Sequence, residues 1–344
     1  MTWTELRHHL QHPDHKWKIY VLLGVMAYFV AINQIIKVRP DHIFLALVLF
    51  SFVLGKQRAR RFLIDWLPFV LFWIGYDMMR GIADSVRGTI HIVEPYRWEL
   101  ALFGNLSGEI PPFLLQRVRE AVEWGWLRKL IDVLAANFYT AHFALPLLLG
   151  WVFWHTTNDR PMFYKFVYTL TILNVLALLT FMAYPAAPPW YVYNYGFSSP
   201  EPNSSFWAIS AGNLIDVDRL LGVKFFTTLW DSFNANHFAA IPSLHGAYPI
   251  VLSFFAFKKF RWNPWLLCCY PAAVWFSAVY LNHHYIIDLI IGGLYVMVAY
   301  FLATRLAYPL LFARFIEPRP EPADLVMSMA DRVRQPAEIS SMQN

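Results

Sequence analysis

Long apolar runs separated by short polar loops constrain this chain more than any other feature. Eight of them approach the roughly 20 residues that an α-helix needs to cross the hydrocarbon core of a bilayer. They lie at about 18–36, 42–55, 62–79, 133–154, 163–184, 243–257, 264–281 and 284–304. The second and the sixth are short enough to fit an interfacial or partly buried segment instead of a span. The runs predict an all-α, polytopic transmembrane helix bundle of about eight spans.

The composition and the positions of the charges agree with an integral membrane protein. Of the 344 residues, 58% are hydrophobic and 15% are charged, whereas soluble domains carry about 25% charged residues. Lysine and arginine concentrate in alternate loops, for example at 56–61 and 258–261, and cytoplasmic loops are enriched in these residues. The alternation predicts that both termini are cytoplasmic. It also accounts for the net charge of +5 without a nucleic-acid partner.

The segments between the apolar runs suggest how the chain is organised. Residues 96–131 mix apolar and charged positions at helical spacing on both sides of a Pro-Pro break, which fits helices in the outer interface or an amphipathic connector packed on the bundle. The long loop 185–242 is rich in proline, serine, asparagine and aromatic residues, and loops of this length are often functional. We expect an N-terminal transmembrane hairpin at 1–60, a catalytic domain at 61–306 and a flexible cytoplasmic tail at 307–344.

The stretch "LNHHYIIDLIIGG" contains the side chains best suited to chemistry. His284 and Asp288 are four residues apart, so they lie on one face of a helix. A hydrogen bond between them would offset the cost of a buried carboxylate and raise the basicity of the other ring nitrogen. A pair that only ties two helices together is the alternative. His283 points elsewhere and is expected to be structural or interfacial.

A second histidine occurs where another apolar run begins, in "HFAAIPSLHGAYP". Pro242 ends any preceding helix and Ser243 is a favoured N-cap, so the amides that follow are suited to bind an anion such as phosphate. His245 then lies on the same predicted, non-cytoplasmic side as His284. Together the two histidines and Asp288 suggest phosphoryl transfer through a phosphohistidine, without a metal or a cofactor. A capping serine followed by an incidental histidine is the alternative.

Three motifs resemble one known family. "PSLHG" and "HHYIIDLIIGG" resemble the second and third signature motifs of the type 2 phosphatidic acid phosphatase superfamily. With "YPAAPPWYVYNYGF", which begins at Tyr184, they are most similar to its inositol phosphorylceramide synthase branch. The likeness covers roughly residues 60–305 and implies the superfamily's core bundle of six helices.

The resemblance also implies roles for individual residues. His284 would attack phosphorus, Asp288 would orient it, and His245 would protonate the departing alkoxide and then deprotonate the incoming alcohol. The superfamily's phosphatases also carry a Lys-x6-Arg-Pro motif and a Ser-Arg pair before the third motif. The first is absent here, and of the second only Ser277 is present, followed by Ala278.

The missing cationic motifs carry information about the donor. A phosphomonoester has up to two negative charges and needs several cationic donors in the transition state, whereas a phosphodiester has one. Their loss therefore favours a phospholipid headgroup over a lipid phosphate. Arg80 is the best candidate to supply one cation, and a pair with Asp77 or an interface anchor is its alternative role.

The remaining substrate-binding candidates are Ser243 at the helix start, Trp190 and Tyr191 in "PPWYVYNY", and Asn282 beside the third motif. Aromatic rings and amides offer stacking faces and hydrogen bonds to a polyol. An interfacial aromatic belt is the alternative for that stretch.

These features predict a membrane lipid phosphotransferase with a phospholipid donor and a lipid acceptor as its partners. It would pass phosphoinositol from phosphatidylinositol to a lipid hydroxyl such as that of ceramide and release diacylglycerol. A lipid phosphate phosphatase is the alternative in the same family. A transporter is less favoured because the ionisable groups gather at one membrane face, with Asp65 as the main exception.

Overall fold

The structure, a computed structural model, describes residues 20, 23–28, 31, 56–86, 88–104, 108–121, 125–157, 159–201, 206 and 209–312. The predicted span 42–55 and most of the predicted span 18–36 lie outside the described residues, as does the tail from 313 onward. The described parts are helical and contain no strand, only isolated β-bridges. An all-α fold is confirmed for them.

The helices are numbered in chain order. They are α1 Lys56–Val86, α2 Val93–Phe103, α3 Pro111–Ala121, α4 Gly125–Trp151, α5 Arg160–Ala183, α6 Pro189–Tyr195, α7 Leu214–Leu221, α8 Phe226–Phe233, α9 Leu244–Phe260, α10 Pro264–Tyr280 and α11 Ile286–Leu302. Turns of π-helix continue α4 through Val152–Thr156 and α11 through Ala303–Phe312. The predicted start of the tail at 307 therefore falls inside the extended last helix.

The last six predicted spans coincide with α1, α4, α5, α9, α10 and α11. Among the described helices, α5 and the extended α11 are long and apolar enough to cross a membrane. A third is added if Gly125–His142 and Ala144–His155, bent by 54° against each other, form one span. At 17 residues, α9 and α10 are about 25 Å long, slightly less than the roughly 30 Å of a hydrocarbon core. The count of about eight spans is not confirmed.

The amphipathic segment at 96–131 packs on the bundle through a buried ion network. Arg119 of α3 is 2% exposed, and its guanidinium donates to Asp132 at 3.0 Å and to Asp216 at 2.8 Å. The Tyr280 hydroxyl donates to the same Asp132 carboxylate at 2.6 Å. These contacts join α3 to α4, α7 and α10, as expected of a connector packed on the bundle.

Asp65, in the N-terminal half of α1, forms a second buried network apart from the histidines. Its carboxylate accepts hydrogen bonds from the Trp154 indole at 2.8 Å, the Arg160 guanidinium at 2.9 Å and the Tyr164 hydroxyl at 2.5 Å. The carboxylate thus ties α1 to the end of α4 and the start of α5. This structural role accounts for the one ionisable group that stood apart from the cluster of histidines.

We expect Asp65→Ala to lower the free energy of unfolding by about 3 kcal/mol, because removing one partner of a buried ion pair leaves the other charge without compensation. The measurement is thermal unfolding of the purified protein in detergent. Arg61→Ala, an exposed position on the same helix, is the control and should unfold near the wild-type midpoint. An unchanged midpoint in Asp65→Ala would contradict the assignment.

Two glycines allow α9 and α11 to approach closely. A Cβ on Gly246 would lie 2.6 Å from backbone atoms of Leu289, and a Cβ on Gly292 would overlap the carbonyl oxygen of Ser243. Small residues permit such backbone contact between membrane helices. The Ser243 amide also donates to the Asp288 carbonyl at 3.1 Å. The N-terminal ends of α9 and α11 therefore lie side by side, and we call this end of the bundle the histidine end.

Candidate active site

The predicted contact between His284 and Asp288 is present. His284 lies in the loop before α11, and Asp288 lies in the first turn of that helix. The His284 Nδ1 is 3.3 Å from Asp288 Oδ2, and the same oxygen accepts the Tyr285 amide at 2.9 Å. Asp288 is fully buried. A carboxylate that accepts the backbone amide is held in place to accept the Nδ1 proton of His284 as well.

The predicted cap at the start of α9 is also present. Ser243 Oγ accepts the Gly246 amide at 3.1 Å, so the serine is the N-cap and His245 lies in the first turn. The His245 Nδ1 is 3.2 Å from His284 Nε2. The structure thus brings together His245, His284 and Asp288 in one hydrogen-bonded chain, although 39 residues separate the two histidines.

One assignment of the ring protons is consistent with all three side chains of this chain. If Asp288 accepts from Nδ1 of His284, the neutral ring has its lone pair on Nε2. The 3.2 Å contact then requires His245 to supply the hydrogen from its Nδ1. The arrangement presents a nucleophilic nitrogen on His284 and a proton on His245 at the same point.

Two aromatic side chains of α4 hold His245, and sequence reasoning missed both. The Tyr139 ring stacks on the His245 ring with centroids 3.9 Å apart and planes within 6°. The His142 ring contacts His245 with centroids 3.7 Å apart. A histidine inside the apolar run 133–154 was an available signal, because ionisable groups within spans usually have a role. His283 Nε2 donates to the Ala211 carbonyl oxygen at 3.0 Å, and the ring also lines the cavity described below, so its structural role stays a prediction.

Glu99 is a further buried acid that sequence reasoning missed. It lies on α2, is fully buried, and its two oxygens accept the amides of Ile286 at 3.0 Å and Ile287 at 3.1 Å. Burial raises the pKa of the Glu99 carboxyl to about 7, and the two amides partly oppose that shift. Glu99 thus caps the helix that carries Asp288, from a position 187 residues away in the sequence.

A cavity opens beside the two catalytic candidates His245 and His284. Its volume is about 100 Å³. Aromatic side chains of α1 line one part of it, and the polar loop before α9 lines another. The residues concerned are Phe72, Trp73 and Tyr76 on α1, and Asn234, Asn236 and His237 in the loop. Among the described residues that line this cavity there is no lysine or arginine.

The predicted substrate-binding residues are placed differently from one another. Trp190 lines the cavity. Tyr191 lies in an aromatic cluster behind it, with its hydroxyl donating to the Ser198 carbonyl at 2.7 Å. Asn282 occupies a turn at φ 64°, and its carbonyl accepts the Trp190 amide, but its side chain does not line the cavity.

Ser243 and Arg80, the two other predicted substrate-binding residues, differ in what the structure describes of them. The Ser243 side chain is fully buried as the helix cap and does not line the cavity. Arg80 lies within α1, but its side chain is outside the described residues. Its role as a cationic donor stays a prediction.

Comparison with known proteins identifies the family. The PAP2 superfamily model matches residues 113–303, which include the whole of the His245, His284 and Asp288 cluster. The chain belongs to the PAP2 superfamily. No solved structure gives a significant match to this PAP2 protein.

The PAP2 protein is similar to named synthases. It is 30% identical to phosphoinositol dihydroceramide synthase of Bacteroides thetaiotaomicron, over 81% of this chain and 89% of that protein. It is 35% identical to inositol phosphorylceramide synthase of Candida albicans, over 52% of this chain and 37% of that protein. It is 26% identical to the catalytic subunit of inositol phosphorylceramide synthase of Saccharomyces cerevisiae, over 84% and 68%.

These relatives place the PAP2 protein in the inositol phosphorylceramide synthase-like branch of its superfamily. They also make it an enzyme of the phosphotransferase class, and its apolar helices make it an integral membrane protein. Its topology and the location of its termini stay predictions.

Proposed function

We propose that this enzyme transfers phosphoinositol from phosphatidylinositol to the primary hydroxyl of a ceramide or dihydroceramide and releases diacylglycerol. The observation that carries the proposal is the hydrogen-bonded chain Asp288, His284, His245 at a cavity whose described lining residues include no lysine or arginine. The substrates follow from the names of the relatives, which are phosphoinositol dihydroceramide synthase and inositol phosphorylceramide synthase.

In the first half-reaction, Nε2 of His284 attacks phosphorus of the donor phosphodiester. The bond from phosphorus to the glycerol oxygen breaks as the bond from nitrogen to phosphorus forms. His245 acts as an imidazolium, with a proton on each ring nitrogen, gives its Nδ1 proton to the departing alkoxide and becomes neutral. Diacylglycerol leaves, and phosphoinositol remains on His284. Asp288 holds the Nδ1 hydrogen and stabilises the positive charge that develops on the ring. In-line displacement places nucleophile and leaving oxygen on opposite sides of phosphorus, so the phosphoryl group separates the two ring nitrogens when it binds.

In the second half-reaction, the neutral His245 takes the proton of the acceptor hydroxyl. The acceptor oxygen attacks phosphorus, the bond to His284 breaks, and the nitrogen regains its lone pair. Each histidine then has its starting protonation state, so protons and atoms balance over the cycle. Because His245 is 6% exposed and stacked under Tyr139, bulk water has poor access to the base, which favours a lipid alcohol over hydrolysis.

The charge of the cavity favours a diester donor over a lipid phosphate. A monoester at neutral pH has a second negative charge, and its transfer usually relies on arginine or lysine clamps. The described lining supplies histidine, asparagine and tyrosine side chains instead. A lipid phosphatase that hydrolyses phosphatidic acid is therefore the second candidate.

The test is to incubate purified protein with headgroup-labelled phosphatidylinositol, with and without ceramide, and to identify the products by mass. We expect inositol phosphorylceramide only when ceramide is present, and the same rate in excess EDTA, because protein side chains supply both acid and nucleophile. Phosphatidic acid without an acceptor serves as the comparison substrate.

Two outcomes would overturn the proposal. Release of phosphate from phosphatidic acid faster than transfer to ceramide would favour the phosphatase. Loss of transfer in EDTA that Mg²⁺ restores would contradict the metal-free mechanism.

A further inference from the structure

A buried polar pair lies in the cavity apart from the catalytic candidates. The Tyr248 hydroxyl of α9 donates to Asn174 Oδ1 of α5 at 2.6 Å, and Asn174 Nδ2 donates to the Leu170 carbonyl at 2.8 Å. Both side chains line the cavity, and they are 5% and 1% exposed. Polar groups among apolar side chains are costly unless they have hydrogen-bond partners, so the pair calls for an explanation.

The pair lies deeper in the bundle than the histidines. Tyr248 follows His245 by three residues in α9, which is about 4.5 Å along the helix axis. The C-terminus of α5 lies at the histidine end of the bundle, close to Phe181. Asn174 precedes Phe181 by seven residues, which is about 10 Å along the helix axis. A ligand whose reacting oxygen is at His245 therefore extends past Tyr248 and Asn174 as it enters the apolar part of the cavity.

The pair retains both a donor and an acceptor for a ligand. A tyrosine hydroxyl that donates its hydrogen still has lone pairs, and an asparagine amide nitrogen that makes one hydrogen bond has a second hydrogen. One acceptor and one donor at the same point match a secondary amide, which has one N–H and one C=O. An ester has acceptor oxygens and no N–H, so it satisfies only half of this arrangement.

We propose that Asn174 and Tyr248 form the subsite that recognises the amide of an N-acyl amino alcohol acceptor. This inference rests on the proposed function and adds the basis of acceptor choice. In such a lipid the amide nitrogen is on the carbon next to the one that carries the reacting hydroxyl, so the two groups are a few ångströms apart. His245 and Tyr248 both line the cavity from α9, about one helical turn apart, so the hydroxyl and the amide of one acceptor can lie against them in this order. The pair also distinguishes the acceptor from diacylglycerol, whose two esters have no N–H.

The test measures acceptor kcat/KM for Tyr248→Phe and Asn174→Leu with ceramide and with its N-methyl analogue, which has no amide hydrogen. We expect each variant to lose about tenfold with ceramide, because each removes one hydrogen bond to the ligand. For wild-type protein, kcat/KM with the N-methyl analogue should be about tenfold lower than with ceramide. Tyr248→Phe should lower kcat/KM for the analogue little further, because the analogue already lacks the hydrogen that the Tyr248 hydroxyl accepts. The rate at which donor labels the protein in a single turnover should stay near wild type.

Tyr270→Phe is the matched control. It removes the same hydroxyl from a tyrosine of α10 that does not line the cavity, and we expect wild-type kinetics with both acceptors. All variants are compared at equal amounts of monodisperse protein, so that misfolded protein does not affect the comparison of kcat/KM for ceramide with kcat/KM for the analogue.

The outcomes separate this inference from the proposed function. For Tyr248→Phe, equal losses with ceramide and with the analogue would overturn the subsite while leaving the transferase intact, whereas Asn174→Leu should lose about equally with both because the analogue keeps the amide carbonyl. A slower labelling step in either variant would also overturn the subsite. Wild-type protein that makes no product from ceramide would overturn both.

Discussion

His284→Ala is expected to lower the rate of headgroup transfer by at least about 10³-fold, because the alanine variant has no nitrogen to attack phosphorus. His245→Ala is expected to lower it by about 10² to 10⁴-fold, the usual contribution of a positioned general acid and base. The two losses should not add, since both side chains act on one phosphoryl group through a shared hydrogen bond. Steady-state transfer from labelled phosphatidylinositol to ceramide measures both.

A single-turnover experiment separates the two roles. Wild-type protein mixed with headgroup-labelled donor should acquire an acid-labile, alkali-stable label, as expected of a phosphohistidine, and His284→Ala should acquire none. His155→Ala is the control, because His155 is exposed and lies in the π-helical turn that follows α4, away from the cavity-lining His142. Near wild-type transfer by either catalytic variant would remove the mechanism.

Gly292→Ala is expected to lower transfer by about 10²-fold or more, although Gly292 contacts no substrate in the proposed mechanism. A Cβ there would overlap the Ser243 carbonyl oxygen, which accepts the Gly246 and Ala247 amides and so cannot move independently of α9. The helices must shift, which separates His245 from His284. Misplacement of catalytic groups by about 1 Å can cost 10²-fold in rate.

Gly293→Ala provides the control for that experiment. Its Cβ would meet the end of the Ile250 side chain at 3.1 Å, and that methyl group can rotate away. We expect this variant to transfer at nearly the wild-type rate and Gly292→Ala to unfold at a lower temperature as well. Equal activity in the two variants would show that the close approach of α9 and α11 does not position the histidines.

The site depends on contributions from most of the bundle. Asp288 and His284 come from α11 and its preceding loop, His245 comes from α9, and Tyr139 and His142 come from α4. Glu99 then caps α11 from the amphipathic helix α2. Such a site is preorganised by packing, so charge development in the transition state requires little further reorganisation.

The amino-acid sequence was sufficient to predict helices and contacts between residues close together in the chain. Apolar runs predicted six of the eleven α-helices that the structure describes between 56 and 312, because burial of backbone polar groups in lipid leaves few alternatives to a helix. The cap of Gly246 by Ser243 and the contact of His284 with Asp288 were also predicted from spacing. The prediction that both residues of that contact lie on one helix face was wrong, because His284 lies in the loop before α11. Helix geometry fixes which residues three or four positions apart share a face.

Contacts between residues far apart in the chain became evident in the folded protein and not from its sequence. The 3.2 Å contact of His245 with His284, the cap by Glu99 and the pair of Asn174 with Tyr248 join residues 39, 187 and 74 positions apart. The sequence proposed Trp190 and Tyr191 together, and both rings pack in one buried cluster, yet of the two only Trp190 also lines the cavity. These contacts depend on how closely the helices approach one another, and that distance is set by the packing of many side chains at once. It also depends on Gly246 and Gly292, which have no side chain and so allow the backbones of α9 and α11 to touch.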